Sequence, residues 1–168
     1  MKTRRQILTT KVYGKIYKEK YLAELRASLT VPVDENRFMS VEDTDCFMND
    51  KREYGRTMKA TVPFLDKITL LKEVIASIYD IDTNPILYWT SYSEYCGVYI
   101  MPSITAFNSD FDDFYIGGGL IALLSFDQSN KMLLDFYDED GGDWLDIEVF
   151  GTLWCSAISD IADFEQKI

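Results

Sequence analysis

The sequence predicts an α+β protein, in which an antiparallel β-sheet packs against about three helices. Segments with helical periodicity occur early in the chain, and short aromatic and β-branched segments separated by turns fill residues 120–150. With 168 residues, 47% of them apolar, the chain is long enough for one ordinary core and too apolar to be disordered. We therefore expect residues 1–168 to form a single globular domain with a basic N-terminal segment.

Three segments have the apolar periodicity of amphipathic helices. They cover residues 14–29, 63–80 and 151–168. Pro63 suits the first turn of the second helix, and Thr152 is the expected N-cap of the third. The apolar stripes are Tyr17, Tyr21 and Leu25; then Leu65, Ile68, Leu71, Ile75 and Ile78; and finally Leu153, Ala157, Ile161 and Phe164.

Strands are predicted where aromatic and β-branched residues cluster or alternate with polar ones. We expect a short strand at 37–41, with loop on both sides of it, and further strands at 57–62, 86–92 and 96–101. A loop or short helical turn at 106–119 contains three consecutive glycines, which permit positive φ or close backbone approach. A C-terminal meander of three strands follows, at 120–127, 131–138 and 143–150.

Several kinds of chemistry are excluded or disfavoured by composition. Histidine is absent, which removes Ser-His-Asp and Cys-His nucleophilic systems and His-ligated zinc. The widely spaced Cys46, Cys96 and Cys155 predict buried thiols, since they form neither a disulfide framework nor a zinc ribbon. The N-terminus lacks the apolar core of a secretory signal, and the longest apolar runs are too short to span a bilayer. We expect a cytoplasmic protein with no membrane partner.

The net charge of −11 is distributed unevenly along the chain. Residues 1–20 carry a net charge of +6, whereas residues 101–168 carry −12. The acidic C-terminal third is expected to repel nucleic-acid phosphates and to attract basic proteins from a distance. This pattern favours a basic protein partner over direct contact with nucleic acid.

The most acidic segment is LLDFYDEDGGDWLDIEVFG, residues 133–151, with seven Asp or Glu and no Lys or Arg. Alternation in an antiparallel hairpin directs one row of side chains to the core: Met132, Leu134, Phe136, Leu145, Ile147 and Val149. The opposite face collects Asp135, Tyr137, Trp144, Asp146 and Glu148, and the turn adds Asp138, Glu139, Asp140 and Asp143. A second acidic and aromatic segment, NSDFDDFY at 108–115, would extend this surface with Asp110, Asp112 and Asp113.

Four interpretations of the acidic hairpin remain open: a solvated edge that resists aggregation, a metal site, a catalytic pair, or a surface for a basic partner. The spacing does not fit a calcium loop, because counting from Asp138 places Asp143 at the glycine position and Val149 at the final glutamate position. Asp135 and Asp146 would be the catalytic pair, but no apolar cleft is predicted around them. We expect no metal or cofactor.

In overall character, the chain resembles the immunity proteins of bacterial contact-dependent inhibition and related polymorphic toxin systems. It is small, acidic and free of histidine, with aromatic-rich strands, and FYDEDGGDWLDIE is the strongest local element of the resemblance. Such proteins bind a cognate toxin domain, often a basic nuclease, and block its active site.

The resemblance implies an inhibitor without enzymatic activity. Tyr137 and Trp144 would fill the apolar centre of its interface, and the carboxylates that bind Lys and Arg of the toxin would be Asp138, Glu139, Asp140, Asp143, Asp146 and Glu148. The alternatives are a carboxylate-based or metal-assisted hydrolase and a generic cytoplasmic interaction module.

Overall fold

A seven-stranded antiparallel sheet forms the centre of the structure, a computed structural model that describes residues 2–114 and 116–167. Its spatial order is β3-β2-β4-β5-β6-β1-β7. The strands are β1 (Thr57–Pro63), β2 (Ile86–Trp89), β3 (Tyr99–Met101), β4 (Leu120–Ser125), β5 (Lys131–Glu139), β6 (Gly142–Phe150) and β7 (Glu165–Gln166). The predicted α+β class with an antiparallel C-terminal meander is confirmed.

Five α-helices accompany the sheet within the described residues. They are α1 (Arg4–Ser28), α2 (Val41–Asn49), α3 (Lys67–Tyr79), α4 (Ser93–Cys96) and α5 (Thr152–Ala157). Short 3₁₀ turns occupy Glu35–Arg37, Phe64–Asp66, Ile104–Ala106 and Ile116–Gly119.

The three predicted helices differ from the observed ones at their ends, and helices α2 and α4 were not predicted. Helix α1 begins ten residues before the predicted start, because Thr3 and Gln6 form a capping box at its N-terminus. Helix α2 was predicted as loop, although Ser40 caps it by accepting the backbone N–H of Asp43 at 3.0 Å. The predicted C-terminal helix was too long, since α5 ends at Ala157 and the chain then returns to pair β7 with the edge of β1.

Four predicted strands were also too long, although β4 ends only two residues early, at Ser125. The expected strand at 37–41 is a single bridge between Phe38 and Tyr99, because a 3₁₀ turn precedes it and α2 follows it. Strand β2 ends at Trp89, where the chain turns into α4. Strand β3 begins only at Tyr99, because Gly97, with φ of 92°, ends α4.

The larger hydrophobic core lies between one face of the sheet and helices α1, α3 and α5. The predicted inward rows of β5 and β6 all lie in this core and are at most 6% exposed. On the opposite face, Phe47 of α2 packs on a smaller cluster formed by β2, β3 and β4. Helix α2 therefore covers one half of this second face, and the half formed by β5, β6 and β1 carries the acidic row.

Several predictions of burial were wrong, including that of Leu153 in the C-terminal stripe, which is 48% exposed at the start of α5. Leu65, placed in the core stripe of the second helix, is 87% exposed, because α3 begins only at Lys67 and Leu65 lies in the preceding 3₁₀ turn. Cys46 was expected to be buried but is exposed on α2. Cys96 is half-buried, and Cys155 is fully buried as predicted.

Candidate interaction surface

The β5–β6 hairpin holds the predicted acidic residues in a fixed register. Asp135 faces Asp146, Tyr137 faces Trp144, and Asp138 faces Asp143 across the two strands. The connecting turn has positive φ at Asp140 (53°) and Gly141 (78°). Type I′ hairpin turns require this combination, and an Asp-Gly pair tolerates it with little strain. The local sequence therefore fixes where each carboxylate of the hairpin lies.

Four carboxylates are concentrated at the end of this hairpin. We refer to Asp138, Glu139, Asp140 and Asp143 as the tip acids. All four side chains are exposed, and no Lys or Arg among residues 2–114 and 116–167 lies within ion-pair distance of them. Like charges facing each other across strands repel, so the fold gains nothing from this arrangement. The tip acids are consequently available to cations from another molecule.

Asp146, by contrast, is neutralised within the fold. Its carboxylate forms an ion pair with the Lys59 ammonium and accepts a hydrogen bond from the Thr61 hydroxyl at 2.6 Å. The Tyr137 hydroxyl donates a further bond at 3.2 Å. Partial burial disfavours the charged form, but the bonds from Lys59 and Thr61 outweigh it and hold the pKa of Asp146 below its usual range. Asp146 therefore joins β1, β5 and β6 and does not extend the open acidic surface.

Glu148 is satisfied in the same way. Its carboxylate lies 2.9 Å from the ammonium of Lys167 and 3.8 Å from that of Lys59. The predicted outward position of Asp146 and Glu148 is confirmed, but both carboxylates already have cationic partners. The acidic surface predicted from the sequence thus divides into an internally paired part on the strands and an unpaired part at the tip.

Asp135 lies at the boundary between these two parts. Partial burial and the facing charge of Asp146 both raise the pKa of Asp135. A raised carboxyl pKa means that the charged form costs stability at neutral pH and that this cost disappears as the pH falls through the folded-state pKa.

Replacing Asp135 with Asn is therefore expected to increase the free energy of unfolding at neutral pH by about 0.5 kcal/mol, allowing for solvent screening. The gain should vanish at acid pH, where Asp135 of the wild type is protonated. Urea unfolding of both proteins at neutral and acid pH measures it. Equal stability at neutral pH would show that the repulsion from Asp146 is fully screened.

Aromatic and aliphatic side chains lie beside the tip acids. Tyr137 and Trp144 are half-buried, and the indole nitrogen of Trp144 would lie 3.2 Å from a Cβ added to Gly142, so its ring folds back towards the turn. Pro63 faces Trp144 across β1 and β6, and the exposed Leu65 follows two residues later. Leu65 is a candidate contact residue that the sequence analysis assigned to the core.

The second acidic segment lies on the other face of the sheet. Phe111 is buried, with its ring centroid 5.4 Å from that of Phe136, a core-facing residue of β5 close to the tip. The segment thus reaches the same end of the hairpin from the core side. The prediction also included Tyr115 in this segment, and that residue lies outside the described residues. Two of its acids have a cation nearby. The ammonium of the buried Lys67 lies over the Phe64 ring. Burial lowers the pKa of Lys67, and the nearby charges of Asp110 and Asp112 offset part of this effect.

Asp113, the third acid of this segment, has a different neighbour. Its charge acts on Glu24 of α1, whose pKa is raised chiefly by burial. Glu24 in turn accepts the backbone N–H of Gly117 at 2.9 Å. The recorded neighbours of the loop acids are thus Lys67 and Glu24, not the tip acids.

Glu24 is a half-buried carboxylate that sequence analysis did not single out. It fixes the glycine turn, in which Gly117 has a φ of 65° and an added Cβ would lie 3.1 Å from Thr90. All three glycines of this turn adopt positive φ, which glycine permits, and Gly117 is also closely packed. We assign Glu24 a structural role because its contacts join α1 to this turn.

A catalytic or metal-binding use of the hairpin has little support in its geometry. Asp135 and Asp146 do face each other and have oppositely shifted pKa values, as acid–base pairs do. However, Asp146 is held by Lys59, and five cavities on the described residues are lined by side chains other than those of Asp135 and Asp146. No group of three or more Cys, Asp or Glu in residues 2–114 and 116–167 is arranged to hold a metal ion.

Comparison with known protein families, with curated proteins and with solved structures gives no match to this chain. Among the helices of the described residues, none combines the length and the apolar character needed to cross a membrane.

Proposed function

We propose that this protein is a cytoplasmic immunity protein, which binds a cognate basic toxin domain and neutralises it through the tip of the β5–β6 hairpin. One observation carries the proposal: the tip acids have no cationic partner among the described residues, whereas the neighbouring Asp146 and Glu148 are paired with lysines. A fold that neutralises two acids of a row and leaves four exposed beside them presents a site for an external cation.

The surroundings of the tip acids suit a protein partner. Trp144, Tyr137 and Leu65 supply apolar area next to the charge, and aromatic side chains are frequent energetic centres of interfaces. The short Asp-Gly turn and the bonds of Asp146 to β1 hold the hairpin in one conformation, so little conformational entropy is lost on binding.

A nuclease is the toxin class that best fits this surface. Nucleases contact phosphates through Lys and Arg, and carboxylates on a rigid turn offer those cations an alternative anionic partner. Such a contact would exclude the nucleic acid by occupying its binding groove. The protein itself acts without turnover, as one inhibitor molecule for each toxin molecule, and uses no cofactor.

Growth protection in cells tests this proposal. A candidate toxin domain, sought among the neighbouring genes, is produced in a sensitive bacterium, alone or together with this protein. We expect wild-type protein to restore growth, and a variant with all four tip acids replaced by their amides to protect less at equal abundance. Undiminished toxicity in the presence of the folded wild-type protein would refute the proposed function.

A further inference from the structure

A row of aliphatic side chains lies exposed along the first half of α1. Leu8, Val12 and Ile16 follow one another at a spacing of four residues and are 58%, 59% and 60% exposed. Side chains four residues apart lie on the same face of a helix, so the three form one continuous stripe. Single exposed apolar residues are common on protein surfaces, whereas a continuous exposed stripe marks an interaction site.

The opposite face of α1 is fixed against the rest of the protein, so the stripe cannot turn inwards. The Tyr17 ring packs against those of Tyr92 and Tyr95, with centroids 5.7 and 5.3 Å apart. Gly14 lies so close to the backbone of Tyr95 that an added Cβ would be 2.5 Å from its carbonyl oxygen. The stripe is therefore a permanent feature of the surface.

Cations surround the stripe. Lys2 and Lys11, on the side towards α2 and α4, are paired with acids of those helices. Within the described part of the chain, five other cations of α1 have no ion-pair partner and are exposed: Arg4, Arg5, Lys15, Lys20 and, nearer the C-terminal end, Arg26. Pairing two copies of α1 with each other would bring these like charges together, so the stripe calls for a partner that is both acidic and apolar.

The β5–β6 hairpin of the same chain has that complementary character. It combines the four tip acids with Trp144 and the nearby Leu65. Helix α1 packs mainly on α4 and α2, at the β2–β3 side of the sheet, whereas β4 separates β2 from the hairpin. No ion pair within residues 2–114 and 116–167 joins the two surfaces. The complementary surfaces can therefore meet only between two molecules.

We propose that the hairpin tip of one copy docks on the Leu8–Val12–Ile16 stripe of a second copy. The contact is heterologous, because each copy uses a different surface, and it weakens as salt screens the charges. It uses the hairpin that we propose for toxin binding, so self-association and toxin compete for the same residues. The association itself requires no toxin, and its test contains none.

The decisive experiment measures molecular mass by sedimentation equilibrium at low ionic strength. Two variants carry one disabled surface each. The stripe variant combines Leu8→Ser, Val12→Ser and Ile16→Ser, and the tip variant combines Asp138→Asn, Glu139→Gln, Asp140→Asn and Asp143→Asn. All seven positions are exposed, so both variants should fold, which circular dichroism verifies.

We expect the mass of the wild type to rise with concentration and its association constant to fall about tenfold or more between about 0.05 and 0.5 M salt. Each variant alone should remain monomeric. An equimolar mixture should form a one-to-one heterodimer and nothing larger, because it contains one intact tip and one intact stripe.

Three results would overturn the inference. The first is a wild type that remains monomeric at low salt. The second is a tip variant that still self-associates, which would indicate pairing between α1 helices. The third is a mixture of the two variants that stays monomeric.

Sedimentation of the wild type with vesicles of phosphatidylserine and phosphatidylcholine, without self-association, would identify an anionic membrane as the occupant instead. Because none of these measurements involves the toxin, their failure leaves the growth-protection test unaffected.

Discussion

Replacing Trp144 with alanine is expected to weaken toxin binding by about 30- to 1,000-fold, which corresponds to the roughly 2–4 kcal/mol typical of a central aromatic contact. Trp144 is the largest apolar side chain beside the tip acids, and its ring lies against the turn that carries them. Because the lost contact is short-range, most of the effect should appear as faster dissociation. Surface plasmon resonance with the purified toxin domain measures both rate constants.

Phe126→Ala provides the matched control for this substitution. Phe126 is 55% exposed in the β4–β5 turn, at the opposite end of β5 from the tip. This substitution removes an exposed aromatic ring from a turn at the other end of the same sheet and should leave toxin affinity unchanged. If both variants lose affinity for the toxin equally, Trp144 acts only through general surface hydrophobicity. If Trp144→Ala binds the toxin as tightly as the wild type, Trp144 does not belong to the interface.

Neutralising the four tip acids together is expected to slow association with the toxin by about 10- to 100-fold at low salt, because unpaired charge steers a cationic partner during diffusion. The difference from wild type should shrink as salt is added, since screening shortens the range of the charges. Stopped-flow measurement of the association rate over a salt series tests both statements.

The control for the tip variant removes the same amount of charge elsewhere. Glu73→Gln, Asp80→Asn, Asp160→Asn and Asp163→Asn also abolish four exposed carboxylates, none of them on the hairpin. If the two variants slow association equally, only the net charge of −11 steers the toxin. A slower rate for the tip variant alone would assign the steering to the hairpin.

The sequence was most informative about the acidic hairpin. Alternation placed its apolar row in the core, and the turn expected between residues 138 and 143 fixed the register, so the pairing of Asp135 with Asp146 was predictable. Both signals are local, because strand periodicity and turn chemistry depend on neighbouring residues.

The distribution of charge on the surface depended on contacts that are distant in sequence. Lys59 and Thr61 belong to β1, and nothing in the local pattern showed that this strand would pair with β6 and neutralise Asp146. Leu65 was misplaced for a related reason, since its spacing fits the stripe of α3 although the helix begins two residues later. The missed helix α2 did leave a signal, because Ser40 and Asp43 match a capping motif.

The most direct test of the central claim is a titration of a purified candidate toxin domain with this protein while the nuclease activity of the candidate is followed. We expect the activity to fall linearly to zero at one equivalent of wild-type protein. The activity should persist at one equivalent of the tip variant when toxin and variant are each present at a concentration near the dissociation constant of their weakened complex. Full activity in excess wild-type protein would contradict the account. So would complete loss of activity at a small fraction of an equivalent, because this would show that the protein acts on the toxin as an enzyme.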